Sequence, residues 1–271
     1  MASTPLTNTS AWEQVRRGFA VQRKVIGALL MRELHTRYGR ENVGYLWVIG
    51  EPLTLASAIA LIHIGESSHY AGDMRPVPFA VLGYCVFIMF RSTFSRAEGA
   101  LEANMPLMYH RMVTIFDIMI SRALLEAAGT FLCLVILMGF LISIDYADPP
   151  ERPLWMIAAI GYMFWFSAGM SFIIVAITHD NRLLGRLVHP VAYIMMPISG
   201  AFYLLEWIPM PYREWLLWIP FIHIFEMVRY GFFRSANPDY FSVTYLTAVC
   251  MVTTYIGLVL MKLLRGRLHL H

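Results

Sequence analysis

Six stretches of nearly unbroken apolar residues set the pattern of this chain, at roughly 43–65, 77–95, 113–144, 153–177, 187–205 and 241–261. A hydrocarbon layer about 30 Å thick takes roughly 20 apolar helical residues to cross, which such runs supply. Open sheet edges cannot face lipid, and the runs are too long and continuous for barrel strands. The pattern therefore predicts an all-α integral membrane protein of six transmembrane helices, a single membrane domain over 1–271.

The intervening segments are not all plain loops. Residues 1–10 read as disordered. From 12 to 41 runs a basic stretch in which Ile26, Leu30 and Leu34 recur every four residues, while Val25, Leu29, Arg32 and Thr36 give a mixed face. This predicts an N-terminal amphipathic interfacial helix, apolar face in the headgroups and basic face out. Ala97–Asn104 reads as a short helix across the inner membrane face, stopped before Pro106. Residues 206–235 are aromatic and apolar, yet Pro209, Pro211 and Pro220 break them into pieces too short to cross. Two external re-entrant half-helices, Tyr212–Ile219 and Phe221–Phe233, fit that pattern; an amphipathic hairpin lying on the outer surface is the alternative.

Composition supports a membrane solvent. Of 271 residues, 58% are hydrophobic and only 14% charged, where a soluble domain carries about 25%. No cleavable signal peptide is expected, because the start is polar. The distribution of charge matters more than its net value of +3. With the first span entered from inside, 16 of the 21 Lys and Arg fall on the cytoplasmic side, and only Arg75, Arg152, Arg213, Arg229 and Arg234 lie outside. That bias predicts both termini in the cytoplasm.

Few side chains carry chemistry. Lys24 follows Arg23 and Lys262 follows Met261, so neither belongs to a P-loop and no ATP site is expected. The histidines form no H-E-x-x-H pair, and Cys85, Cys133 and Cys250 lack metal or redox spacing, so no metal or cofactor is expected. Ser171 lacks the second glycine of a nucleophile elbow. Asp73, Asp145 and Asp148 read as solvated loop charge rather than transferase carboxylates. Glu51 precedes Pro52 inside the first run, where a carboxylate is expensive. It either bonds a neighbouring span or lines a path. Arg122 and Glu126 are spaced to pair at i, i+4. Mid-span aromatic residues, among them Tyr45, Trp47, Tyr84, Phe87, Phe90, Tyr193 and Tyr203, can pack helices or offer a stacking path for a glycan.

Several motifs carry a family resemblance. Leu30-Met31-Arg32-Glu33-Leu34-His35-Thr36-Arg37-Tyr38, then Gly44-Tyr45-Leu46-Trp47 and Glu51-Pro52, resemble the start of ABC-2 permeases that export polysaccharide. Gly99-Ala100-Leu101-Glu102-Ala103-Asn104, Tyr109-His110-Arg111, Asp117 and Arg122-Ala123-Leu124-Leu125-Glu126 are similar to the KpsM-type capsule permeases. So are Ile208-Pro209, Tyr212, Trp215, Leu217-Trp218, Pro220, His223 and Glu226. The resemblance covers most of the chain, although 106–116 depart from the family's wording.

That resemblance implies a permease subunit with no catalytic site, in the bacterial inner membrane. It would act as a homodimer with two separate ATP-binding-cassette subunits that carry ATP and Mg. A periplasmic adaptor or co-polymerase and an outer-membrane exporter would complete the route of a lipid-linked acidic polysaccharide; no nucleic acid is involved. The family places the ATPase contact at Glu98–Met108, here Glu98, Leu101, Glu102, Asn104 and Met108, and on the N-terminal helix. Arg32, Arg37, Arg91 and Arg96 are then candidates for the anionic lipid-linker end. Glu51, Tyr45, Trp47, Tyr84, Phe87, Phe90, Tyr193 and Tyr203 are candidates for the glycan path, with the channel closed along spans 1, 2 and 5. Export of O-antigen or teichoic acid is the nearest alternative. A membrane-embedded glycosyl- or acyltransferase, and a non-conducting scaffold, are the other classes.

Overall fold

The structure is a computed structural model that describes residues 11–38, 46–63, 72–108 and 113–267. Tyr45, Arg40, Tyr109, His110, Arg111, residues 1–10 and the ends of the first apolar run lie outside these. Among the described residues there is no strand. Ten α-helices follow in order: α1 Ala11–Tyr38, α2 Trp47–His63, α3 Pro76–Ser95, α4 Ala100–Met108, α5 Ile115–Ser143, α6 Pro153–His179, α7 Arg182–Ile198, α8 Tyr212–Leu216, α9 Pro220–Phe232 and α10 Val243–Arg267. Short 3-10 turns stand at Leu205–Trp207 and Pro238–Tyr240.

Local chemistry sets the helix ends. Pro76, Pro153 and Pro220 open α3, α6 and α9, where the missing N–H has no intrahelical acceptor anyway. Thr114 and Asp117 form a reciprocal capping box at the start of α5. Asn181 accepts from the backbone N–H of Leu183 and Leu184 to start α7. Past the end of α7, Gly200 takes φ +84°, and the chain turns back.

α3, α5, α6 and α10 are long and apolar enough to cross a membrane; α2 and α7 are shorter, at 17 residues each, or about 26 Å at 1.5 Å per residue. α3 is the axis of the subunit, packed by α2, α5, α6, α7 and α9, with residues 76–90 buried throughout. Close approach depends on missing side chains. A Cβ on Gly83 would stand 2.0 Å from the carbonyl oxygen of Ala201, and one on Gly257 2.6 Å from Phe172 Cβ. The α6–α10 seam adds Tyr162–Thr247 at 2.8 Å and Trp165 Nε1 donating to Thr254 at 3.0 Å. Small residues and interhelical hydroxyls are what hold helices together in lipid.

The structure corrects several expectations. The helix read as Ala97–Asn104 is Ala100–Met108, displaced because Gly99 at φ +66° breaks the chain after α3. It also runs through Pro106. The carbonyl that Pro106 leaves without a donor belongs to Glu102, and both residues are exposed to solvent. The face of α1 that meets α5 is the mixed one, with Leu29 and Glu33 buried; a separate stripe of Trp12, Val15 and Phe19 is exposed. Of the two half-helices, α8 is a single exposed turn. α9 is almost wholly buried against α6 and α3.

Candidate functional site

The start of α2, the end of α3 and the first half of α5 bring together the charges that the sequence scatters. Glu51 hangs from α2 one residue before Pro52. Arg96 leaves the C-terminus of α3, and its guanidinium reaches Glu51 at 3.4 Å and Glu126 of α5 at 3.1 Å. These groups, with Val48, Arg91 and Thr130, line a cleft of about 30 Å³, space for only a few water-sized groups. The cleft in this conformation is thus a narrow seam, part apolar and part charged, whose Arg96–Glu51 pair is reached by solvent. Arg91 crosses to α7, its guanidinium 4.8 Å from the ring centroid of Tyr193, a geometry that favours the cation. Glu51 bonds Arg96 at the end of a neighbouring helix, the structural one of its two readings, and also borders the cleft.

A second set of polar contacts ties α1 to this seam. Glu33, buried on α1, meets Arg122 of α5 at 3.1 Å, and Arg122 donates to the carbonyl of Arg96 at 3.2 Å. Arg32 donates to Oδ1 of Asn104 on α4, whose own amide donates to Ala100 at 2.8 Å. Gln22 donates to Asp117 at 3.1 Å. The spacing of Arg122 and Glu126 suggests a local pair, yet both reach other helices, to Glu33 and Arg96. Glu33 was not singled out from sequence. Its signal is a carboxylate next to Arg32 on the mixed face of an amphipathic helix.

On α4, Leu101, Asn104 and Met108 are buried, whereas Glu102 is exposed, as is Glu98 ahead of the helix. Glu98 and Glu102 border a polar cavity of about 320 Å³ with Thr178, His179 and Arg186 from α6 and α7. The five residues therefore divide into an inward packing face and two outward carboxylates.

The aromatic candidates also separate. Phe87 and Phe90 are fully enclosed, and Tyr84 is 6% exposed. Phe90 stacks on Phe94 and Phe166 and meets Phe221 edge-on at 4.6 Å. In this conformation these rings pack α3 against α6 and α9. Tyr193 and Trp47 are each 59% exposed. Tyr203 bonds the carbonyl of Ile198 at 3.1 Å. Arg37 lies in the last turn of α1.

The other end of the bundle is organised by a buried pair that sequence reading missed, although its i, i+3 spacing was visible. Arg229 meets Glu226 at 3.1 Å, donates to the carbonyls of Gly200 and Ala201, and covers the ring of Phe79 at 4.3 Å. Glu226 also accepts from the N–H of Leu205 at 3.1 Å. Nearby, His223 accepts from the N–H of Ser242 through Nδ1, which leaves Nε2–H to donate to the carbonyl of Leu217 at 2.8 Å. Among the described residues no cluster of three or more His, Cys, Asp or Glu could hold a metal ion.

The sequence profile of the ABC-2 type transporters matches residues 24–233. The chain is 35% identical over 257 residues to the capsule polysaccharide export inner-membrane protein CtrC of Neisseria meningitidis serogroup B, covering 95% of this chain and 96% of that one. It is 34% identical to the capsule polysaccharide export inner-membrane protein BexB of Haemophilus influenzae, over 91% and 93% of the two chains. It is 31% identical to the polysialic acid transport protein KpsM of Escherichia coli, over 91% and 96%. The profile match spans the charged seam, α4 and the buried pair of α9 alike, and on this ground the chain belongs to the ABC-2 type transporter family.

Proposed function

We propose that this chain is the inner-membrane permease subunit of an ATP-driven exporter of capsular polysaccharide. The observation that carries the reading is the near full-length similarity to capsule export inner-membrane proteins. The physical picture agrees with it. The chain is a bundle of apolar helices with a charged seam at one end and no P-loop sequence.

In this reading α2 and α7 complete six spans with α3, α5, α6 and α10. Each of the two short helices crosses with a little local thinning or snorkelling. Both termini lie in the cytoplasm, in keeping with the basic inner ends. α9 is the shielded limb of a re-entrant segment in the outer leaflet, with the exposed turn α8 leading into it; the burial of α9 against α6 and α3 supports this. Two copies face each other and two ATPase subunits dock beneath them, against the outward carboxylates Glu98 and Glu102 and along α1. ATP and Mg reside on those subunits. Export energy enters through α4 and passes through Asn104–Arg32 and Glu33–Arg122 to the Arg96–Glu51 seam. Opening that seam exposes Arg91 and Arg96 to the anionic end of a lipid-linked glycan, and Arg32 and Arg37 guide its approach. The glycan then moves past Trp47, Tyr193 and Tyr203, with Tyr84, Phe87 and Phe90 reached once the helices part; Tyr45, outside the described residues, remains a further candidate. A periplasmic adaptor and an outer-membrane exporter receive it.

Deletion and complementation in the parent bacterium test the reading. Surface capsule should disappear on deletion, return with the intact chain, and leave lipid-linked polysaccharide inside the deleted cells. Normal surface capsule after deletion would overturn it. The ATPase partner is tested by affinity purification, which should recover an ATP-binding subunit at one-to-one stoichiometry.

A further inference from the structure

The outer half of the subunit carries a lateral groove that export does not account for. Its walls are Ser57, Ala60 and Leu61 of α2, Val77 and Val81 of α3, and Leu137 and Phe140 of α5, and its volume is about 270 Å³. At its outer end stands Tyr146, whose ring closes the groove and also borders a second, much smaller pocket of about 10 Å³ with Asp73, Arg75 and Asp148. That volume holds about one water-sized group. An apolar slot and a charged niche therefore share one aromatic wall. Tyr is a residue favoured at the boundary between hydrocarbon and headgroups.

We propose that this surface binds one phospholipid of the outer leaflet with an amine-bearing, phosphoethanolamine-type headgroup: an acyl chain in the α2–α3–α5 groove, the phosphate on Arg75 and the ammonium in the Asp73–Asp148 niche. The groove is flanked by spanning helices, so what fills it is hydrocarbon. A packed chain regains the dispersion contacts that an empty slot forfeits.

The charges choose the headgroup. Arg75 is held over Tyr146 at 5.6 Å and donates through one nitrogen to the carbonyl of Asp145 at 2.9 Å. This leaves the rest of the guanidinium fork to meet a phosphate. Asp73 and Asp148 line the same niche, Arg234 touches Asp73 through its backbone N–H, and Arg152 donates to the carbonyls of Tyr230 and Phe233. Burial opposes the charge on Asp73. Hydrogen bonds from the Ser235 hydroxyl and the N–H groups of Arg234 and Ser235 outweigh that and hold its carboxyl below the usual range. Among the residues that line the niche, a headgroup bearing only negative charge would meet one cation, Arg75, and two carboxylates, Asp73 and Asp148. One bearing phosphate and ammonium together meets a partner for each.

The test is native mass spectrometry of the full chain, delipidated in mild detergent and offered dioleoyl phosphatidylethanolamine, phosphatidylglycerol or phosphatidylcholine. The ethanolamine lipid should be retained about tenfold over the glycerol lipid, the scale of one charge-assisted hydrogen bond. Asp148→Asn should erase that preference while leaving the chain folded. Ala60→Phe, which fills the groove, should remove retention of all three lipids. Equal retention of the ethanolamine and glycerol lipids, or retention unchanged in both variants, overturns the proposal. So does an Ala60→Phe chain that keeps its lipid but loses self-association, because the groove would then be a contact between copies. Capsule export need not change in any of these outcomes, so failure here is distinguishable from failure of the export reading.

Discussion

Arg229 and Glu226 stand one turn apart on α9, guanidinium to carboxylate at 3.1 Å, with side chains only 2% and 6% exposed. The pair pins three separate pieces of backbone: the carbonyls of Gly200 and Ala201 and the N–H of Leu205. Removing one member strands the other in a dry interior, at a cost of about 3–5 kcal/mol. Arg229→Met should therefore lower the thermal unfolding midpoint of the purified chain sharply. Glu226→Gln keeps an oxygen for the Leu205 N–H and should cost less. A wild-type melting curve for Arg229→Met would show that the turn is held by other contacts.

Gly83 gives a sharper steric prediction. A methyl group there would meet the Ala201 carbonyl oxygen at 2.0 Å, which backbone cannot yield cheaply. Gly83→Ala should cost at least the ~1–3 kcal/mol typical of overpacking and reduce the yield of folded protein in size-exclusion chromatography. Gly139→Ala serves as the control, since nothing lies within 4 Å of the added carbon.

The Glu33–Arg122 contact joins α1 to α5. Glu33→Arg and Arg122→Glu should each impair export, and the exchanged double variant should recover part of it. A coupling energy of roughly 0.5–3 kcal/mol in unfolding is expected for residues in contact. Additive single effects would mean that the two side chains act independently.

Phe90→Ala should cost about 3–5 kcal/mol of stability, because its ring is enclosed by Phe94, Phe166 and Phe221. Loss of export in that variant reports on folding. Tyr193 is exposed, and Tyr193→Ala should change stability by no more than about 1 kcal/mol, the scale of its exposed contact with Arg91. A capsule defect in a normally folded Tyr193→Ala strain would place this ring on the glycan path. Unchanged capsule would remove it.

The helical spans were legible because hydrocarbon demands one simple pattern, and α3, α5, α6 and α10 follow it. Periodicity could not place α4. Its start depends on a positive φ at Gly99, and its passage through Pro106 depends on solvent reaching the Glu102 carbonyl. The charged seam was half legible. Glu51, Arg91 and Arg96 stand out as ions near apolar runs, but their partners lie on other helices: Glu126 for Arg96, Glu33 for Arg122. Spacing along one helix sees only neighbours at three and four residues, so tertiary partners stay hidden. For the same reason the sequence could not separate Phe87 and Phe90, which are enclosed, from Tyr193, which is not. All are aromatic residues in apolar runs, and only the packing of α9 against α6 and α3 divides them.

The close seat of Ala201 on Gly83 limits how the subunit can move. With no side chain between them and Arg229 clamped on the same turn, α3, the turn at 199–205 and α9 form one stiff block. Sliding any of the three alone would break carbonyl contacts with nothing to replace them. A rearrangement of the bundle must therefore carry this block whole and shift along its borders with α2, α5, α6 or α7.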